Sequence, residues 1–298
     1  MLWGIDLGGT KIECAIIENA ENLNVICRKR IDTEAHLGYE HIIGQVVKLV
    51  EMMKAETDLI PLNIGIGSPG ALEPSTQTMK NCNTTALNGK PFKADLERAL
   101  GLSIKIANDA NCFALAEANL GAAKAKVPNA EVVFGIIMGS GVGGGIVVNG
   151  KVVNGKHGIG GEWGHNFLDE SGGQCYCGRV GCVETVFAGP FLERYYKGLT
   201  NKQLKLKEIV ANYYTGNDDA AQKTMKRLIH FFGKAVAPVI NIIDPEVIVI
   251  GGGVGNIDLL YTEGVEEVKK YVFNPKLETL FLKPALGDSA GVFGAALL

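Results

Sequence analysis

Apolar positions in this chain fall partly into short runs and partly into helical spacing, and their order predicts an α/β fold. Residues 3–7, Trp-Gly-Ile-Asp-Leu, read as a short apolar strand carrying a carboxylate near its end. Gly8-Gly9-Thr10-Lys11 turns the chain, and residues 12–17 return as a second strand. A third strand is predicted over 25–31. Ile42, Ile43, Val46, Val47, Leu49, Val50 and Met53 then recur at helical spacing over 39–54. Strands follow at 63–67 and 104–107, with a helix ending at Gly101 between them and another over 112–120. The second half repeats the order. A strand at 132–138 leads into the turn Gly139-Ser140-Gly141, and a strand returns over 145–149. A long amphipathic helix over 222–242 is stopped by Asp244-Pro245. The strand 247–250 ends in Gly251-Gly252-Gly253, and the small apolar segment 291–298 reads as a terminal helix. Two glycine-turn hairpins, each heading an α/β half, indicate an internal duplication.

Composition narrows the class. The 298 residues suit two modest lobes rather than one small core, and 47% hydrophobic with 20% charged residues is ordinary for a globular protein. A net charge of −3, with no basic run, gives no electrostatic footprint for nucleic acid. The uncharged run 132–150 is interrupted by six glycines before its last residue (135, 139, 141, 143, 144 and 145), which favours paired strands over a membrane span. Met1-Leu2-Trp3 leads directly into a strand, so no secretory segment is expected. Seven cysteines, an odd number and partly clustered, are expected to be thiols in a reducing cytoplasm.

The glycine turns have a defined chemistry. Glycine lets backbone N–H groups approach a phosphate with no Cβ in the way. Thr10 adds a hydroxyl, and Asp6 at the strand end can hold Mg²⁺ beside phosphate oxygens. Gly139-Ser140-Gly141 repeats the device, and Gly251-Gly252-Gly253 suits the adenosine side of a nucleotide. A lone glycine pair is ordinarily a hairpin, but three such turns at strand ends favour nucleotide binding. The spacing is neither a Walker A loop nor a dinucleotide fingerprint. Asp109 follows the strand 104–107, where carboxylates face ligands in open α/β sheets. Asn108 and Asn111 beside it can orient a polyol. Asn-Asp ahead of a helix is equally a good N-cap, so both readings of Asp109 stand.

The densest chemistry lies between Glu162 and Glu184, in GEWGHNFLDESGGQCYCGRVGCVE. His165, Cys175, Cys177 and Cys182 supply one nitrogen and three sulfurs, a closed tetrahedral set for a structural Zn²⁺. A redox pair or a chance cluster are the alternatives. Cys14, Cys27, Cys82 and Cys112 read as core residues. A metal that fixes Glu162 and Glu184 beside an imidazole is a scaffold for gripping hydroxyl groups.

Taken with GIDLGGTK, GSPG, NDANCFALAEA, MGSGVGGG, GGEWGH, CYCGRVGCVET and IVIGGG, the chain resembles the ROK family of sugar kinases and repressors over nearly its whole length. KNCNTTALNGKPFKADL, GEWGHNFL and LGDSAGVFGAALL look most like its bacterial fructokinase/mannokinase branch. The resemblance implies two duplicated RNase H-like lobes of the actin/hexokinase ATPase superfamily. They would span residues 1–118, with 287–298 packed back on them, and 119–286, which carries the zinc-binding insertion. It implies ATP-dependent transfer of the γ-phosphate to the 6-hydroxyl of a free hexose, with Asp109 as catalytic base. Fructose is the expected acceptor, mannose or glucose next, N-acetylglucosamine last. Gly70, Asn83, Asn108, Glu162, His165 and Glu184 would hold the sugar. His165 would share its ring between zinc and sugar. Asp6, Gly8, Gly9, Thr10, Lys11, Gly139, Ser140, Gly141 and Gly251 to Gly253 would serve ATP and Mg²⁺. A homodimer is implied as well. The repressors carry a DNA-binding element ahead of the first strand, and only five residues precede Asp6, so an enzyme is expected. A sugar-sensing protein without turnover and an actin-like ATPase acting on protein remain as rivals.

Overall fold

The computed structural model describes residues 1–21 and 23–298. The chain divides into two compact units. The first comprises residues 1–129, 145–161 and 285–298, and the second comprises 130–144 and 162–284. This division differs from the expected one. The first unit extends beyond residue 118 to Asn129 and also takes in residues 145–161.

The first unit is built on a five-stranded sheet in the order Val25–Asp32, Lys11–Ile17, Leu2–Leu7, Asn63–Ser68, Ser103–Asn108. The first three strands are antiparallel, and the last two continue in parallel from Leu2–Leu7. Trp3, Ile5 and Leu7 are buried in one core with Ile42, Val46, Leu49 and Val50 of the helix Tyr39–Thr57. The other face is closed by the terminal helix Ala290–Ala296, which lies directly on strand backbone. A Cβ on Gly4 would stand 2.1 Å from the Val292 carbonyl oxygen, and one on Gly65 would stand 1.8 Å from that of Ala295. These glycines are in strands because only a bare backbone admits the helix at that distance.

The second unit's strands Val132–Met138, Val247–Gly251 and Leu280–Leu282 run parallel. The strand that returns from the Gly139-Ser140-Gly141 turn is Val142–Val148, starting three residues earlier than expected. Val142, Gly143 and Gly144, outside the expected strand, belong to it. A Cβ on Gly145 would lie 2.7 Å from the Ala110 carbonyl oxygen, so glycine there admits a close backbone neighbour. The long helix spans Asp219–Ile243 and contains Pro238. It begins where the Asp218 carboxylate accepts from the Ala221 N–H at 2.9 Å and ends at Asp244 in a left-handed conformation. Among the described residues no helix is long and apolar enough to cross a membrane.

Candidate active site

In the first unit the polar candidates stand at strand ends. Asp6 pairs in register with Gly67, and Ser68 pairs with Asn108, so three parallel strands deliver their last residues to one edge. The turn after Asp6 is fixed by its own backbone and by Thr33. The Gly8 N–H donates to the Lys11 carbonyl at 2.9 Å. The Thr33 hydroxyl donates to the Gly8 carbonyl at 2.7 Å, and its N–H donates to Thr10 at 2.9 Å. Gly9, Thr10 and Lys11 are exposed. Burial, then the charges of Asp109 and Glu13, push the Asp6 carboxyl up to about 7 against the lowering effect of Arg30. An acid held there welcomes a cation.

Asn108, not Asp109, is the N-cap of the helix Asp109–Asn119, its side-chain oxygen accepting from the Ala110 N–H at 2.9 Å. The Asp109 carboxylate takes a second bond from that N–H at 2.7 Å. Desolvation raises the Asp109 carboxyl from its ordinary value, against these hydrogen bonds. Asp109 itself is exposed at the start of the helix. A base shifted upward toward neutrality is better matched to taking a hydroxyl proton. Asn111, expected to orient a polyol beside it, is only 3% exposed within the helix. Gly70 is buried, its missing side chain replaced by Cys82, whose sulfur would lie 2.5 Å from a Cβ there. The Asn83 N–H donates to the Pro69 carbonyl at 3.2 Å, so the Gly70 and Asn83 segments are tied together.

In the second unit, Glu162 and His165 flank a short turn anchored by Trp163. That ring is buried between Phe134 at 5.8 Å and Phe187 at 6.1 Å, and its N–H donates to Gly143. A Cβ on Gly164 would stand 2.0 Å from the Val142 carbonyl oxygen. One ligand atom each from His165, Cys175, Cys177 and Cys182 lies within 4.8 Å of the others. Cys177 and Cys182 sulfurs are 3.6 Å apart, and Cys175 sulfur is 3.6 Å from His165 Nδ1. Tetrahedral zinc with bonds of about 2.3 Å would set sulfurs about 3.8 Å apart, so the donor set fits the ion and is far too open for a disulfide. Burial pushes the Cys182 thiol up to about 12, which a bound divalent ion would reverse by deprotonating its ligands.

His165 Nε2, on the other side of the ring, lies 2.9 Å from the Tyr176 hydroxyl. Burial and the charges of Glu184 and Glu162 push that phenol up to about 12. Tyr176 therefore joins the polar set, and nothing in the sequence marked it beyond its place between two cysteines. Glu184 is 8% exposed and accepts from the Val142 N–H at 3.0 Å, beside the turn Gly139-Ser140-Gly141. Gly252, at φ +82°, lies where a Cβ would strike the Met138 carbonyl oxygen at 2.3 Å, so Gly251 to Gly253 and the Gly139 turn are neighbours at adjacent strand ends.

The sequence profile of the ROK family matches residues 2–298. The chain belongs to the ROK family. This ROK protein is 35% identical to the N-acetyl-D-glucosamine kinase of Histophilus somni over 309 residues, covering 100% of the chain and 98% of that protein. It is 34% identical to the same-named enzyme of Pasteurella multocida over 313 residues, covering 100% and 99%. Its fold matches the crystal structure of a ROK hexokinase from Thermus thermophilus with a TM-score of 0.88 at 29% identity, covering 99% of this chain and 96% of that one. It also matches a ROK family glucokinase from Streptomyces griseus in complex with glucose and AMPPNP, with a TM-score of 0.78 at 25% identity, covering 99% and 97%. The α/β fold with two five-stranded sheets is that of the hexokinase-like ATPase superfamily. The fructokinase/mannokinase branch expected for this ROK protein is not the one these curated relatives represent. They carry the name of the acceptor ranked last on sequence.

Proposed function

We propose that this ROK protein is an ATP-dependent sugar kinase that phosphorylates N-acetyl-D-glucosamine at its 6-hydroxyl. The observation that carries the acceptor is the full-length match to N-acetyl-D-glucosamine kinases at 34–35% identity. Fructose has no comparable support. Asp109 is the base: as the sugar oxygen attacks the γ-phosphorus, the hydroxyl proton passes to its carboxylate and ADP departs. Its raised affinity for a proton supports that role. Asn108 keeps the helix start in place through its cap and offers its amide nitrogen to a neighbouring hydroxyl. Glu162, His165 and Glu184 accept or donate to ring hydroxyls, and Gly70 and Asn83 shape the wall of the sugar site.

Gly8 to Lys11, Gly139 to Gly141 and Gly251 to Gly253 present backbone N–H groups and side chains to ATP. Asp6 would hold Mg²⁺, which when bound neutralises charge on the phosphate oxygens. His165 Nδ1 and the thiolates of Cys175, Cys177 and Cys182 would hold a structural Zn²⁺, supported by the close approach of the four donor atoms. With Nδ1 on a metal, His165 Nε2 carries the proton and donates, toward Tyr176 or toward a sugar hydroxyl. The chain works as a cytoplasmic homodimer in this reading, which light scattering tests.

The deciding experiment measures initial rates of ADP release with a panel of sugars. N-acetyl-D-glucosamine should give a kcat/KM at least about tenfold above fructose, mannose and glucose, since a site that hydrogen-bonds an amide rejects analogues lacking it. A higher value with fructose overturns the acceptor assignment. ADP release that no sugar stimulates overturns the kinase reading in favour of an ATPase or a sensor.

A further inference from the structure

We propose that Glu184 is a positioning residue that couples the sugar site to the phosphate turn, each ligand preparing the protein for the other. The proposal rests on the kinase reading for the identity of the two ligands, and on geometry for the link between them.

Glu184 lies in the short helix Val183–Phe187, which starts at Cys182, one of the four clustered metal donors. Its carboxylate is buried in the second unit, and a buried carboxylate needs partners. One oxygen, Oε2, accepts from the Val142 N–H at 3.0 Å. The same oxygen would be 2.5 Å from a Cβ on Gly141, so glycine at that position is what lets the carboxylate reach the turn. At the far end of the helix, the Gly189 N–H donates to the Gly139 carbonyl at 2.9 Å. The turn closes on itself through the Gly139 N–H and the Gly141 carbonyl at 2.9 Å. The Gly139-Ser140-Gly141 turn is thus clamped at both of its ends by one segment, 184–189, and that segment is anchored at the cysteine cluster. A glutamate serving sugar alone would have no reason to spend an oxygen on this backbone. With Oε2 committed to Val142, Oε1 is the oxygen left to meet a hydroxyl, and any rotation of the carboxylate toward sugar is felt at the turn.

The coupling predicts effects that cross between sites. Calorimetry should read the Kd for N-acetyl-D-glucosamine without nucleotide and the Kd for a nonhydrolysable ATP analogue without sugar. Gly141→Ala, placed on the phosphate turn, is expected to weaken sugar binding at least about fivefold, because its Cβ displaces Glu184. Glu184→Ala is expected to weaken ATP-analogue binding at least about fivefold. Glu184→Gln should restore most of that nucleotide affinity, since its amide oxygen can still accept from Val142. A general loss of structure would not be repaired in this way. Metal content measured on each variant should equal that of the parent. If Gly141→Ala does not fold, the Glu184→Ala and Glu184→Gln pair decides alone. The proposal is overturned if each folded variant alters only its own ligand's affinity, or if Gln does no better than Ala. Failure of the parent protein to bind any hexose would refute the kinase reading instead, and the nucleotide measurements on Glu184 would still decide the link.

Discussion

The two units hold their polar residues by different means. In the first, Asp6 and Asn108 stand at the ends of paired strands whose register is set by backbone hydrogen bonds and a continuous apolar core. The turn beside Asp6 is braced by Thr33, a residue from the same sheet system with no part in the proposed chemistry. In the second, Glu162, His165 and Tyr176 lie in a stretch with little regular structure, held by one buried tryptophan, close-approach glycines and four clustered donors. The turn there is braced by Glu184, itself a candidate ligand contact. A site built on sheet ends tolerates loss of a single side chain. A site built on a loop depends on whatever ties the loop down.

The largest expected effect tests that dependence. Cys177→Ser removes one of four donors, and should abolish stoichiometric metal, measured by elemental analysis, together with sugar binding. ATP-analogue binding should fall less. Retained metal and retained sugar affinity would show that the stretch 162–184 stands without the cluster.

Asp109→Asn probes the opposite regime. The helix should keep its start, because Asn108 supplies the cap. We expect kcat to fall by about 10²–10⁴ with sugar Kd nearly unchanged. Loss of sugar binding in step with turnover would mean that Asp109 positions substrate rather than taking its proton.

The smallest effect concerns stability and pH. The Asp6 carboxyl is pushed from 3.8 to about 7 in the folded protein. Below pH 4 it is protonated in both states and costs nothing. Between about 4 and 7 the unfolded chain releases the proton while the folded one retains it, so stability falls as pH rises, and it levels off above 7. The full cost is at most about 4 kcal/mol, and partial solvent contact lowers it. Asp6→Asn should therefore melt a few degrees higher than the parent at pH 8, with the difference shrinking toward pH 5. Parallel melting curves across that range would remove burial of Asp6 as a source of strain.

Much of this was legible in the residues. Apolar runs located Leu2–Leu7, Lys11–Ile17 and Asn63–Ser68, since a strand buried on both faces must be nearly all apolar, whereas Val25–Asp32 and Ser103–Asn108 are partly exposed and carry charged residues. The helical spacing of Ile42 to Met53 located Tyr39–Thr57, although its last turn continued to a left-handed Asp58. The metal cluster was visible because three of its donors lie within eight positions. The helix expected over 222–242 contains Pro238, and the structure keeps it continuous there. The helix passes through it with Met225, Leu228, Phe232 and Val236 already buried, and that packing outweighs one lost hydrogen bond. Gly143 and Gly144 lay outside the strand expected over 145–149 for a reason of composition. Glycine signals either a turn or a backbone neighbour too close for a Cβ, and sequence alone does not tell which.

The sequence by itself determined the family, the order of the main strands and helices, the glycine-turn hairpins and the clustering of four candidate metal donors, because periodicity and local spacing are properties of neighbouring residues. The tertiary structure alone decided that Asn108 rather than Asp109 caps the helix, that Tyr176 sits on His165, and that Glu184 reaches the Val142 N–H. The last contact joins residues 42 positions apart. Such contacts depend on which backbone groups the fold leaves without partners and on where a missing Cβ admits a side chain, and both are settled only when distant segments are brought together.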